Sequence, residues 1–177
     1  MKHIVVDIET NGSNPYNRSM ISLGAVEVAD GVITGELFYD EMRPIWSGYE
    51  PEAYAVNGFT HEQAMTFEKP SLVMPKFLEW LKQLQTDKRL HFVSDNAGFD
   101  WMFVCCYLWH FCGENPFGFS PMSLTWYYKG MYGTKSKFNQ FRSKVATSSH
   151  NHNALQDAMG NAEALVTLLQ RDKSLKK

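Results

Sequence analysis

The sequence predicts an α/β fold that opens on three antiparallel strands, and three features carry the prediction. Lys2 to Thr10 is a run of apolar and β-branched residues closed by the Asn11-Gly12 turn, the pattern of a short central strand. Asp30-Gly31 separates two further strand-like runs, and this dipeptide suits a two-residue hairpin turn. From residue 70 onward, segments with helical spacing alternate with one more short apolar run, which is the element order of an α/β domain.

Taken in order, Met20 to Val28 forms the second strand and the third runs from about Val32 to Met42, so the opening three make a meander. Pro51 to Val56 reads as a short helix ended by Asn57-Gly58, and Thr60 caps another turn of helix. Pro70 and Ser71 start a longer helix whose Leu72, Val73, Phe77, Leu78, Leu81 and Leu84 keep helical spacing and belong to the core. Arg89 to Ser94 is the next strand, broken by Asp95-Asn96-Ala97-Gly98. Phe99 to about Phe111 is apolar on all sides, as expected of a helix buried over most of its surface. The last helix follows a Ser148 to Asn153 capping stretch, with Ala162, Leu165, Val166, Leu168 and Leu169 on its apolar side. Residues 172–177 are expected to fray. No repeat and no Pro-, Gly- or Ser-rich linker divides residues 1–177, so a single domain is expected.

Composition narrows the class. With 44% hydrophobic and 14% aromatic residues, 177 positions can bury a core, which excludes disordered and fibrous chains. No apolar run approaches the roughly 20 residues of a membrane span, and the N-terminus lacks a basic region followed by an apolar stretch and cleavage site. A cytoplasmic protein with no membrane partner is expected. Cys105, Cys106 and Cys112 share one apolar helix and are expected to be buried, reduced thiols. The net charge of -2 predicts no broad attraction to nucleic acid, so contact with a phosphate polymer would have to be local or supplied by metal.

Local chemistry lies in four places. Side chains two apart on a strand leave the same face, so Asp7 and Glu9 stand side by side while Val6 and Ile8 pack the other way. Two such carboxylates repel unless a cation lies between them, and their oxygens suit Mg²⁺ or Mn²⁺. Asp100 falls in the first turn of its helix, where the helix dipole alone accounts for an acid. His152 stands at or just before the first turn of the last helix and Asp157 about one and a half turns on, with His150 as a decoy at similar reach. Residues 115 to 156 contain no acid but hold Lys129, Lys135, Lys137, Arg142 and Lys144, interleaved with rings such as Trp126, Tyr128, Tyr132, Phe138 and Phe141. Cations for phosphates and rings for bases are what a single strand of nucleic acid needs, although the same rings could be core.

Three of these signals share the order and spacing of a known set. Asp7-Ile8-Glu9-Thr10 matches an Asp-x-Glu-Thr motif, Asn96-Ala97-Gly98-Phe99-Asp100 matches Asn-x-x-Phe-Asp, and His152 to Asp157 matches His-x-x-x-x-Asp. The chain thereby resembles the histidine-bearing, or DEDDh, branch of the DnaQ-like exonuclease superfamily. In length and in its Phe99-Asp100-Trp101 triplet it looks most like small stand-alone 3′–5′ exoribonucleases of bacteria and phages. It departs from many members in having Asn57-Gly58-Phe59-Thr60 in the loop after the third strand, and Ser22 where an acid is common.

The resemblance implies a ribonuclease H-like fold, with a mixed sheet of about five strands, the first three antiparallel, and helices on both faces. It implies that Asp7, Glu9, Asp100 and Asp157 hold two divalent metal ions, Mg²⁺ or Mn²⁺, spaced roughly 3.5 to 4 Å apart, and that His152 is the general base. Histidine titrates near neutral pH, which suits it to accept a proton from the attacking water. The implied substrate is a single-stranded RNA or DNA 3′ end, released as nucleoside 5′-monophosphates, with RNA the first expectation and a deoxyribonuclease of proofreading or phage type the alternative. Thr10, Asn11, Asn96, Phe99 and Phe59 would grip the terminal nucleotide. The segment from Tyr128 to Lys144 would guide the strand inward, and relatives suggest a homodimer. A scaffold that binds nucleic acid ends without cutting is disfavoured by the intact motif acids and His152.

Overall fold

The sheet is assembled around β1 (Lys2–Thr10), which lies between an antiparallel neighbour and a parallel one. A computed structural model describes residues 1–86, 89–147 and 150–175. Among these, β2 (Met20–Ala29), β3 (Val32–Glu41), β4 (Leu90–Ser94) and β5 (Met122–Ser123) complete a sheet of order β3-β2-β1-β4-β5. The expected meander is present: β1 pairs antiparallel with β2, and β2 with β3. Asp30 and Gly31, at φ of +52° and +86°, make its hairpin. β4 then pairs parallel with β1, and β5 parallel with β4.

Helices α1 (Pro51–Asn57), α2 (His61–Ala64), α3 (Pro70–Leu84), α4 (Ala97–Cys112), α5 (Leu124–Tyr132), α6 (Phe138–Val145) and α7 (Ala154–Leu175) cover the sheet. Thr60 caps α2 as expected, in a reciprocal pair with Gln63. The alternation of β1 decides which helices meet which face. Ile4, Val6 and Ile8 join Phe77 and Leu81 of α3 and Phe103 and Tyr107 of α4 in one core. Val5 joins Ala158, Ala162 and Leu165 of α7, with Tyr128, Phe138 and Phe141, in the other. Asp7 and Glu9 share the face of Val5 and therefore lie on the side that α7 covers.

Gly24 sets how closely α7 approaches. It sits opposite Asp7 in the β1–β2 ladder, and a Cβ there would overlap the Ala154 carbonyl and the Leu155 amide at the start of α7. Only a glycine lets the two backbones touch. Gly24→Ala should destabilise the protein by about 1–3 kcal/mol and slow any chemistry that depends on Asp157. An unchanged melting temperature and turnover would show that α7 yields without cost.

Two expectations need correction. α4 is not buried over most of its surface: Met102, Cys106 and Trp109 are exposed, and the apolar side chains fully buried in the core are the stripe of Phe103, Val104, Tyr107 and Leu108, with Phe99, Trp101 and Phe111 packed at its edge. A helix on the outside of a single sheet has one buried side however apolar its sequence. Consequently Cys106 is exposed and Cys105 and Cys112 are half-buried, although partial burial still pushes all three thiols up. Helix α7 runs to Leu175, and Arg171, just before the last residues, donates to the Tyr132 hydroxyl at 2.9 Å. Ser148, Ser149, Lys176 and Lys177 lie outside the described residues. The start of α7 is capped by Asn153, whose Oδ1 accepts from the Gln156 amide at 3.1 Å.

Candidate active site

Strand β1 and helix α7 bring the first and third sequence motifs together. One carboxylate oxygen each from Asp7, Glu9 and Asp157 lie within 4.8 Å of one another, and all three residues are buried. Asp100 projects from the first turn of α4 and is equally buried, outside that trio but close enough to act on it electrostatically. Burial pushes the Asp7 carboxyl well above the usual range, and Asp100, Asp95, Glu9 and Asp157 push it further. Glu9 is pushed up to about 8 by burial, then by Asp157 and Asp100. Asp100 rises to about 7 through burial and Asp95, against hydrogen bonding at Ser94 and the backbone. So many acids cannot all ionise in so dry a place without a cation.

Asp157 behaves in the opposite way. Burial alone would raise it, but a hydrogen bond and the charge of His150, the charge of Arg142 and the His152 amide hold it below the usual carboxylate range. Its Oδ1 accepts from Arg142 Nη2 at 3.0 Å and faces His150 Nδ1 at 2.7 Å, while its Oδ2 accepts from the His152 N–H at 2.9 Å. Arg142 is itself buried, donating also to Asn161 Oδ1 at 2.8 Å and the Asp157 carbonyl at 3.1 Å. The guanidinium is thus part of the site's frame, a role that its place in a basic stretch did not suggest.

The two histidines divide the site differently from expectation. His150 is the ring that touches Asp157. His152, with its backbone in the left-handed region at φ +57°, places Nδ1 4.0 Å from Glu9 Oε1 and keeps its ring half-exposed. That conformation is uncommon for a residue with a side chain, and here it aims the amide at Asp157 and the ring at Glu9.

The donor set fits a hard divalent cation. Asp7, Glu9 and Asp157 offer oxygens at one point, with Asp100 alongside, and the raised Asp7 and Glu9 carboxyls mark a place where positive charge is wanted. An acid with a raised folded pKa binds more protons folded than unfolded, so its contribution to stability falls as pH rises. For Glu9 that window runs from its ordinary 4.5 to about 8. Asp157, shifted downward, loses its contribution only as pH falls into the acid range. In chelator the melting temperature should therefore drop between about pH 5 and pH 8, and Mg²⁺ or Mn²⁺ should raise it more at the upper end. A metal-induced rise that is the same at both ends would contradict this account.

The residues expected to hold the terminal nucleotide are scattered in what they do. Asn11 is 0% exposed; its Oδ1 accepts from the Ser19 amide at 2.6 Å and its Nδ2 donates to the Gly48 carbonyl at 3.5 Å, so its side chain ties the β1–β2 loop to the segment after β3. Thr10 is buried, with its hydroxyl donating to the Gly12 carbonyl at 2.8 Å. Asn96 is exposed at the start of α4, and Phe99 is half-buried against Phe103. Phe59 packs edge-on to Phe67 beside Ile21 and Tyr54.

The basic, aromatic stretch is divided: Tyr128, Phe138 and Phe141 are core and Arg142 serves Asp157, so these four side chains face inward. Asp95 is the acid that motif spacing overlooked, since it follows the end of β4 and acts on both Asp7 and Asp100.

Residues 2–169 match the family described as the 3'-5' exoribonuclease Rv2179c-like domain. The chain belongs to that family. Its relatives include the 3'-5' DNA exonuclease Cap18 of Escherichia coli, 29% identical over 97% of this chain and 95% of the relative. DNA polymerase III subunit epsilon of Escherichia coli strain K12 is 30% identical over 56% of this chain, which spans only 40% of that subunit. The solved nuclease domain of 3'hExo, a DEDDh family member, bound to rAMP, shares the fold with a TM-score of 0.75 at 18% identity, over 96% of this chain and 92% of that one. The Rv2179c-like chain is therefore a 3′–5′ exonuclease, built on the ribonuclease H-like sheet that it shares with that DEDDh nuclease domain. No helix among the described residues is long and apolar enough to cross a membrane.

Proposed function

We propose that the chain hydrolyses single-stranded RNA from its 3′ end to nucleoside 5′-monophosphates, with Asp7, Glu9, Asp100 and Asp157 as the metal-holding acids and His152 as general base. The observation that carries this reading is the meeting of Asp7, Glu9 and Asp157 at one point, with His152 Nδ1 4.0 Å from Glu9. Two divalent ions, Mg²⁺ or Mn²⁺, would supply charge neutralisation for the attacking and leaving oxygens. The protein's own part is positional. Arg142 holds Asp157 at its Oδ1 and its carbonyl, so the acid reaches the site in one orientation. With Nδ1 turned to Glu9, His152 keeps Nε2 to accept the proton of the attacking water, and the nearby carboxylate stabilises the imidazolium that forms. The water oxygen bonds to phosphorus, the bond to the penultimate 3′ oxygen breaks, and that oxygen leaves with a proton. Asn96, just before α4, and Phe99 in its first turn would meet the terminal nucleotide, with Thr10 contributing through its backbone.

The family description favours RNA, while the likeness to Cap18, a 3'-5' DNA exonuclease, supports DNA as the second reading. The two differ in recognition of the 2′-hydroxyl. Matched RNA and DNA strands labelled at the 5′ end, incubated with Mg²⁺, Mn²⁺ or chelator, test both. A metal-dependent ladder mainly on RNA supports the proposal, a ladder mainly on DNA replaces it with the second reading, and no ladder on either defeats both.

A further inference from the structure

Two cavities join to form a trough that leads away from the carboxylates. The nearer, of about 260 Å³, is lined by Asp95, Asn139, Arg142, Ser143 and His150, and His150 and Arg142 are the side chains that touch Asp157. The farther, of about 420 Å³, is lined by Asp95, Asn96, Ser123, Trp126, Lys135 and Asn139. Asp95 and Asn139 belong to both, so the walls are continuous from the third motif to the surface of α5. Arg142 and His150 stand at the inner end, Asp95 and Asn139 where the two cavities meet, and Ser123 and Lys135 in the outer one.

The outer end carries an exposed aromatic ring. Unlike Tyr128, Phe138 and Phe141, which fill the core, Trp126 is 56% exposed. Lys129 Nζ and Lys135 Nζ sit over its ring at 4.6 and 4.9 Å. An exposed indole with two ammonium groups over its ring offers what a nucleotide needs: a flat π system on which a base can stack once the lysines turn from it to the phosphates. The protein is slightly acidic overall, so this is a local attraction at the end of a channel and not a general basic surface.

We propose that this trough is the seat of the nucleotides 5′ to the one being removed, with Trp126 stacking an upstream base and Lys129 and Lys135 pairing with its phosphates. The inference rests on the exonuclease reading of the carboxylate site, which places the 3′ terminus at its inner end. The bases are held by stacking and not by edge recognition, so the trough accepts any sequence and rewards length.

Fluorescence anisotropy of labelled single-stranded oligonucleotides in chelator, where no hydrolysis occurs, measures the trough by itself. The wild-type protein should bind an octanucleotide more tightly than a dinucleotide. Trp126→Ala should weaken octanucleotide binding roughly tenfold, and Trp126→Phe, which keeps a stacking face, should recover most of it. Lys135 lies on a loop outside the helices, so Lys135→Ala serves as a second variant with no helix to disturb, and it should lower the salt dependence of binding by about one counterion. Equal octanucleotide affinity in wild type, Trp126→Ala and Lys135→Ala would overturn the proposal, as would a wild-type protein indifferent to length. The ladder assay keeps the two readings apart: length-dependent binding through Trp126 with no metal-dependent ladder would defeat the exonuclease reading and leave the trough, whereas a normal ladder with unaltered variant affinities would defeat the trough alone.

Discussion

Asp7→Asn should reduce hydrolysis by roughly a thousandfold or more while leaving a folded protein that melts higher than wild type in chelator at pH 8. The first half follows from its place: Asp7 is buried where Glu9 and Asp157 meet it, and a neutral amide cannot help hold a divalent ion there. Charge neutralisation by metals is worth several kcal/mol in such reactions, and each 1.4 kcal/mol is tenfold in rate. The second half follows from the cost of the site without metal. Burial and four neighbouring acids push the Asp7 carboxyl well above its usual range, so unfolding at alkaline pH is favoured by the charge it releases, and an amide removes that penalty. Initial rates with Mg²⁺ and Mn²⁺, alongside melting curves with and without chelator, check both halves. Undiminished turnover would remove Asp7 from the site, and a chain that no longer folds would mean that its role is structural.

His152→Ala should lower kcat by about 10²- to 10⁴-fold with little change in substrate affinity, and His150→Ala should lower it by less than about tenfold. The contrast is a strict test because distance to an acid favours the other ring: His150 touches Asp157 at 2.7 Å, whereas His152 lies 4.0 Å from Glu9. His150 Nδ1 is committed to Asp157, and its pKa is raised by that bond. His152 holds the motif position five residues before Asp157. Steady-state rates of the two variants across pH 6 to 9 decide between them. If His150→Ala suffers the larger loss, the base is His150 and the third motif is shifted by two residues.

The opening meander was legible because its cues are local. Asp30-Gly31 has backbone angles that few other pairs adopt, and the two-residue period of β1 alone places Asp7 beside Glu9. The capping of α2 by Thr60 and of α7 by Asn153 was readable for the same reason, since the donors and acceptors lie within three residues of each other. β5 was not, being two residues long and existing only as a partner for β4. Nor was the division of the aromatic stretch into core and surface. Helical rows of rings look alike until the sheet selects Tyr128, Phe138 and Phe141 and leaves Trp126 outside.

By itself the sequence determined the strand that carries Asp7 and Glu9, the helix starts that carry Asp100 and Asp157, and the spacing between His152 and Asp157. Each depends on dihedral preferences and periodicities that span a few residues. Only the tertiary structure decided that Gly24 admits α7 to the face of β1, that Arg142 and His150 hold Asp157, and that Asn11 spends its amide on the fold. The approach of α7 and the hold of Arg142 rest on contacts between residues 15 to 131 positions apart, Arg142 with Asp157 and Gly24 with Ala154 and Leu155, and the closing of long loops leaves no local trace in the chain.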